Sequence, residues 1–162
     1  MVAGAAPSPV THHRAAFGLG ALVVVLLDQL TKTWALRSLD DGPIDLVGSL
    51  RLKLTFNDGA AFSLGSGRTG WITALALVVV ALLVRMGWRA EHRLFALGLG
   101  VILGGALGNL TDRLLRAGDG LLGGRVVDFI DPQWWPVFNV ADIALWVGIG
   151  LLLLSSWREE AA

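Results

Sequence analysis

The sequence predicts an all-α membrane protein, four transmembrane helices with a short stretch of strand in the first extramembrane loop. Three observations carry this: an apolar composition, four apolar segments of bilayer length, and one run whose polarity alternates with a period of two. Hydrophobic residues fill 54% of 162 positions and the mean hydropathy is +0.65, above what soluble domains show. The length suits one domain. Thirteen basic and thirteen acidic side chains cancel to a formal charge of zero, so the basic excess that nucleic-acid binding requires is missing. The absence of Cys excludes a disulfide, a thiolate nucleophile and a Cys-ligated metal.

Residues 1–15 are polar and contain Pro, which predicts a disordered tail. A single membrane domain is expected over 16–158, with a short tail at 159–162. The apolar segments are Phe17–Leu36, Gly70–Val84 extending towards Trp88, Leu94–Leu114 and Val140–Trp157. Each approaches the roughly 20 residues that a bilayer core requires. Arg14 before the first could suggest a cleaved leader, but Asp28, Gln29, Thr31 and Lys32 at its far end are unlike a cleavage region. In the first loop, Leu50, Leu52, Leu54 and Phe56 alternate with Arg51, Lys53 and Thr55, the pattern of a half-buried strand. Pro43–Val47 is the expected partner, with Gly48-Ser49 as the turn, and Asn57-Asp58-Gly59 marks a sharp turn beyond.

Four spans put both termini on one side and loops one and three on the other. The short second loop carries Arg85, Arg89 and Arg93, which favours it as cytoplasmic. The bias is not clean, since Arg37, Arg51, Lys53, Arg68, Arg113, Arg116 and Arg125 lie in or beside the other loops.

Polar side chains in membrane spans are costly and default to functional hypotheses. Here Asp28 and Lys32 end span 1, Asn109, Asp112 and Arg113 end span 3, and Asn139 and Asp142 open span 4. Asn57 is in loop one and Asp128 in loop three, so connectivity alone places all of them at one membrane face. Asp142 lies just beneath the interface, at about 1.5 Å of rise per residue. Asp128 sits alone within Val126–Ile130. Two acids brought together there would share a proton, one acting as base on a water and the other as acid towards a carbonyl. The alternative is that each pairs separately with Arg113, Arg125 or Lys32. Asn139 and Asp142, three apart, share a helix face, as do Asn109 and Arg113, four apart. These donors suit a peptide backbone or a carboxylate, or merely tie helices together. Asp28 and Lys32 read as a structural i, i+4 pair. Gly100, Gly104 and Gly108 form a small-residue ladder for close helix packing. Trp134, Trp135 and Trp146 suit interfacial anchors, and His12, His13 and His92 have no metal spacing.

From about residue 17 to 157 the chain resembles the lipoprotein signal peptidase (signal peptidase II) family. Five segments carry the resemblance, in the family's order: Asp28–Lys32, Asn57–Phe62, Gly104–Arg113, Val126–Ile130 and Phe138–Asp142. It implies a four-helix bundle with a small β-cradle, which the alternating run at Leu50–Phe56 suits. It implies a catalytic dyad of Asp128 and Asp142, and substrate contacts from Asn57, Asn109, Arg113 and Asn139. Asp28, Lys32, Gly59 and Asp112 fall in supporting positions. The implied reaction removes the signal peptide from a bacterial prolipoprotein, cutting before a Cys that carries diacylglycerol. The implied setting is the bacterial inner membrane, multi-pass, with both termini cytoplasmic and the site at the outer face. Membrane lipid surrounds the chain, and a monomer without metal, cofactor or nucleic acid is expected. The stretch between Asp128 and Phe138 is shorter than in several family members, and the N-terminal tail is longer than a minimal member needs. Neither touches a motif residue. A proton-coupled transporter is the rival from another class, but its acids should lie near the bilayer midplane. A membrane partner that binds lipoproteins without cutting them is a second rival, separated only by an activity assay.

Overall fold

A computed structural model describes residues 9–58, 69–116 and 124–160. The chain runs α1 (Pro9–Ser38), β1 (Ile44–Val47), β2 (Leu50–Asn57), α2 (Thr69–Trp88), α3 (Arg93–Leu115), β3 (Val126–Asp131) and α4 (Val140–Glu160). All four helices are long and apolar enough to cross a membrane. Residues 9–15, expected to be tail, are helical: Pro9 fits the first turn of α1, where a missing N–H leaves no bond unmade. Glu159 and Glu160 likewise continue α4.

In the apolar window of α3, 50% of residues are buried, against 22%, 17% and 22% in α1, α2 and α4. Leu19, Leu30, Leu75 and Leu153 instead point outwards, each more than 60% exposed. That suits a lipid solvent, in which apolar surface need not be hidden. The glycine ladder sets the closeness of α1 to α3. A Cβ on Gly104 would lie 2.6 Å from Val24 Cβ and 2.7 Å from the Ala21 carbonyl oxygen, and one on Gly100 would meet the Phe17 backbone. Gly104→Val is therefore expected to push the two helices apart. Overpacking of this kind costs about 1–3 kcal/mol. A thermal melt in detergent should show a clear loss, whereas Gly150→Val, where a Cβ meets nothing within 4 Å, should melt like the parent.

The strands form one antiparallel sheet in the order β1-β2-β3. The hairpin β1–β2 turns at Gly48, which takes the left-handed φ of +58°. β3 is an addition to the expected strands: Val126–Ile130 read as an apolar run around one acid, and it proves to be a buried strand. The sheet lies over the end of α1, where Leu52, Leu54 and Ile130 pack on Ala35, Leu39 and Phe129. Phe129 meets Trp34 edge to face at 6.4 Å. The alternation along β2 does not run to its end. Its pairing shifts between Leu52 and Thr55, where three steps on β2 match two on β3. One extra residue reverses which face later side chains take. Asn57 thereby joins Thr55 on the face of Asp128, and Phe56 is left 49% exposed.

Candidate active site

Each acid is placed by a local device. Phe138 hydrogen-bonds back to Ile130 in both directions, its carbonyl accepting at 2.9 Å and its N–H donating at 3.0 Å. That clasp ends the loop and delivers Asn139 to the start of α4. The Asn139 side-chain oxygen accepts from the Asp142 N–H, and Asp142 Oδ2 accepts from the Asn139 N–H, both at 3.1 Å. This reciprocal cap satisfies two of the orphan donors of a helix start. The three-residue spacing read as a shared face is thus a capping pair, and it fixes the carboxylate of Asp142. Asp128, on β3, is 2% exposed. Its Oδ2 accepts from Asn57 Nδ2 at 3.0 Å and its Oδ1 from Asn139 Nδ2 at 2.6 Å.

Asn139 therefore joins the two acids: its side chain holds Asp128 and its backbone N–H holds Asp142. Asn109 completes the ring, donating to Asp142 Oδ1 at 3.0 Å and accepting from Asn139 Nδ2 at 3.0 Å. The alternative of separate ion pairs fails in part. Lys32 bonds Asp28 and Asp112 instead, and Arg125 is exposed. Arg113 is half-buried in the field of Asp128, Asp142 and Asp112. Among the described residues its Nε is the buried side-chain polar atom without a hydrogen-bond partner. Gly59 lies outside the described residues. Burial pushes the Asp128 carboxyl from 3.8 up to about 6; repulsion from Asp142 adds to this, and the bonds from Asn57 and Asn139 offset part of it.

Asp142 is the more open of the two acids. It lines a cavity of about 320 Å³ with Trp135, Phe138, Ile143, Trp146 and Val147. Trp134, Trp135 and Trp146 are all more than half exposed.

Sequence reasoning missed two members of the surround. Gln29 Nε2 donates to Asp28, the Gly108 carbonyl and Asp112 at 3.1, 3.1 and 3.3 Å. Arg116 Nε bonds Asp112 at 2.7 Å. The second had a signal, since Asp112 and Arg116 are four apart on one helix.

Residues 20–158 match the sequence model of the Signal peptidase (SPase) II family. The lipoprotein signal peptidase of Rhodococcus jostii (strain RHA1) is 46% identical over 153 residues, 93% of this chain and 77% of that protein. That of Mycobacterium tuberculosis (strain ATCC 25618 / H37Rv) is 45% identical over 153 residues, 93% of this chain and 75% of its own. Two solved structures of a bacterial membrane enzyme, both obtained by the in meso method, are 27% identical to this chain. Their TM-scores are 0.72 and 0.73, covering 85% and 88% of this chain and 89% and 87% of theirs.

Proposed function

The chain belongs to the signal peptidase II family and is a multi-pass membrane aspartic endopeptidase, a lipoprotein signal peptidase; from that premise we propose that Asp128 and Asp142 are its catalytic dyad. The observation that supports this is the single Asn139 that holds both carboxylates. With its carboxyl raised to about 6, Asp128 keeps a proton to higher pH than an ordinary Asp and is the acid half. Asp142, which lines the cavity, is the base half that activates water. The water attacks the scissile carbonyl, Asp142 takes its proton, and Asp128 donates its own to the carbonyl oxygen. Collapse of the tetrahedral intermediate returns a proton to the leaving amine.

Asn57, Asn109 and Asn139 each donate an amide N–H to one of the two acids, which orients the carboxylates. Arg113 has a donor to spare, and it holds the substrate backbone beside the dyad. The substrate is a prolipoprotein whose Cys carries diacylglycerol, cut just before that Cys. The test is direct: the purified protein, given such a prolipoprotein, should release the signal peptide. Intact substrate after long incubation would leave only a binding role.

The site faces the outside of the cytoplasmic membrane and both termini face in. The Arg-bearing second loop supports this side for the opposite end of the bundle. Because the chain has no Cys, single cysteines can report it. A Ser49→Cys variant should react with an impermeant maleimide on intact cells, and Glu91→Cys only after permeabilisation. The reverse pattern would put the site on the wrong side for exported substrates.

A further inference from the structure

Lys32 is completely buried, yet no step of the reaction uses it. All three of its ammonium donors are engaged: Asp28 Oδ2 at 2.8 Å, Asp112 Oδ2 at 3.0 Å and Asn109 Oδ1 at 2.9 Å. Each acceptor then reaches one of the two acids. Asp28 Oδ1 accepts from the N–H of Ala141, the residue before Asp142, at 3.0 Å. Asp112 Oδ2 accepts from the N–H of Val127, the residue before Asp128, at 3.0 Å. Asn109 Nδ2 donates to Asp142 itself at 3.0 Å. One cation is thus linked to both β3, which carries Asp128, and α4, which carries Asp142, by three separate routes.

We propose that Lys32 is a positioning residue, whose three bonds to Asp28, Asp112 and Asn109 set the separation and aim of Asp128 and Asp142. This rests on the dyad reading above. Two carboxylates meet at one nitrogen only because that nitrogen is positive. Without it, Asp28 and Asp112 repel, and the backbone at Ala141 and Val127 moves with them. The ammonium also fixes which way Asn109 points. It can only donate, so it requires the amide oxygen, as does Asn139 Nδ2, and the amide nitrogen is left for Asp142. With every donor filled, Lys32 has no proton to offer a substrate. The charged and polar groups around it are Asp28 and Gln29 on α1, and Asn109, Asp112, Arg113 and Arg116 on α3. Among the described residues, Asp128 on β3, Asn139 just before α4 and Asp142 on α4 also belong to this surround.

The test is a set of full-length variants in detergent with a lipid-modified prolipoprotein: Lys32→Met, Lys32→Arg, Asn109→Leu, and Lys32→Met with Asn109→Leu. A misplacement of about 1 Å can cost about a hundredfold in rate. Lys32→Met and Asn109→Leu should each lower kcat by about that factor with KM within about twofold, because Arg113 still holds the substrate. The double variant should fall well short of the product of the two single losses, since both act on Asp142 through one chain of bonds. Lys32→Arg keeps the charge but offers a planar fork in place of three tetrahedral donors. It too should lose kcat at unchanged KM. Wild-type kcat in Lys32→Arg would show that charge alone matters and would overturn the proposal. Multiplying losses in the double variant would overturn it as well. Should the Lys32 variants fail to fold, Asn109→Leu, which removes no charge, decides: unaltered kcat there sinks the idea. Asp142→Asn run in parallel separates the two readings, since an active Asp142→Asn enzyme would refute the dyad and not merely its positioning.

Discussion

Asp128→Asn and Asp142→Asn are each expected to remove nearly all turnover while the protein still inserts and folds. Loss of one acid–base group is worth about 10²–10⁴-fold in rate: Asp128→Asn removes the proton donor, and Asp142→Asn the base. Folding should survive because most partners are retained. An amide at 128 can still accept from Asn57 or Asn139, and an amide at 142 weakens the cap with Asn139 by about 1 kcal/mol. Signal-peptide release on a gel, beside a thermal melt, reads both quantities. Near-normal activity in either variant would remove that residue from the dyad. The same assignment fixes a pH dependence. With Asp128 as the proposed acid half, its carboxyl raised to about 6, kcat/KM should fall as pH rises through about 6. A rate that instead climbs through that region would make Asp128 the base. For stability the sign is the same. The folded chain keeps a proton on Asp128 that the unfolded chain loses above 3.8. This group's contribution to stability is therefore fully present below 3.8 and is lost as pH rises to about 6.

The second large effect is lipid dependence. A diacylglyceryl prolipoprotein should be cleaved about a hundredfold faster or more than the same chain with a bare Cys, the scale that correct positioning commands. Asp142 lines a mostly apolar cavity with Trp135, Phe138, Ile143, Trp146 and Val147. An acyl chain lying there places the neighbouring peptide bond beside the carboxylate. Each buried CH₂ contributes about 0.8 kcal/mol relative to water, but a bare bilayer supplies most of that already. The gain is therefore expected in register more than in affinity, and it should appear in kcat. Arg113→Ala, which removes the spare donor beside both acids, should slow the modified substrate further. Equal rates on modified and unmodified substrates in the same detergent would defeat this account.

The four spans, the hairpin and the clustering of polar residues at one end were legible because each rests on local pattern. Hydrophobic length marks a helix that must satisfy its own backbone in lipid, and the glycine ladder at 100, 104 and 108 marks where α1 approaches α3. The Asp28–Lys32 pair was legible for the same reason, since four residues on a helix bring two side chains together. The motif resemblance pointed to Asp128 and Asp142, which spacing alone could not single out from other acids.

What the tertiary structure decided is how those residues are joined. Lys32 meets Asp112 across 80 positions of chain and Asn57 meets Asp128 across 71, distances over which no periodicity speaks. That Asn57 reaches Asp128 depends on one shifted residue in the pairing of β2, and a single such slip exchanges the faces of a strand. That Asn109 turns its nitrogen to Asp142 depends on a buried ammonium claiming its oxygen. The sequence alone determined which chemical groups collect at one end of the bundle, because connectivity and hydrophobic length leave them nowhere else to go. Only the packed structure decided which donor faces which acceptor, because in a connected polar network each hydrogen bond is fixed by all its neighbours at once.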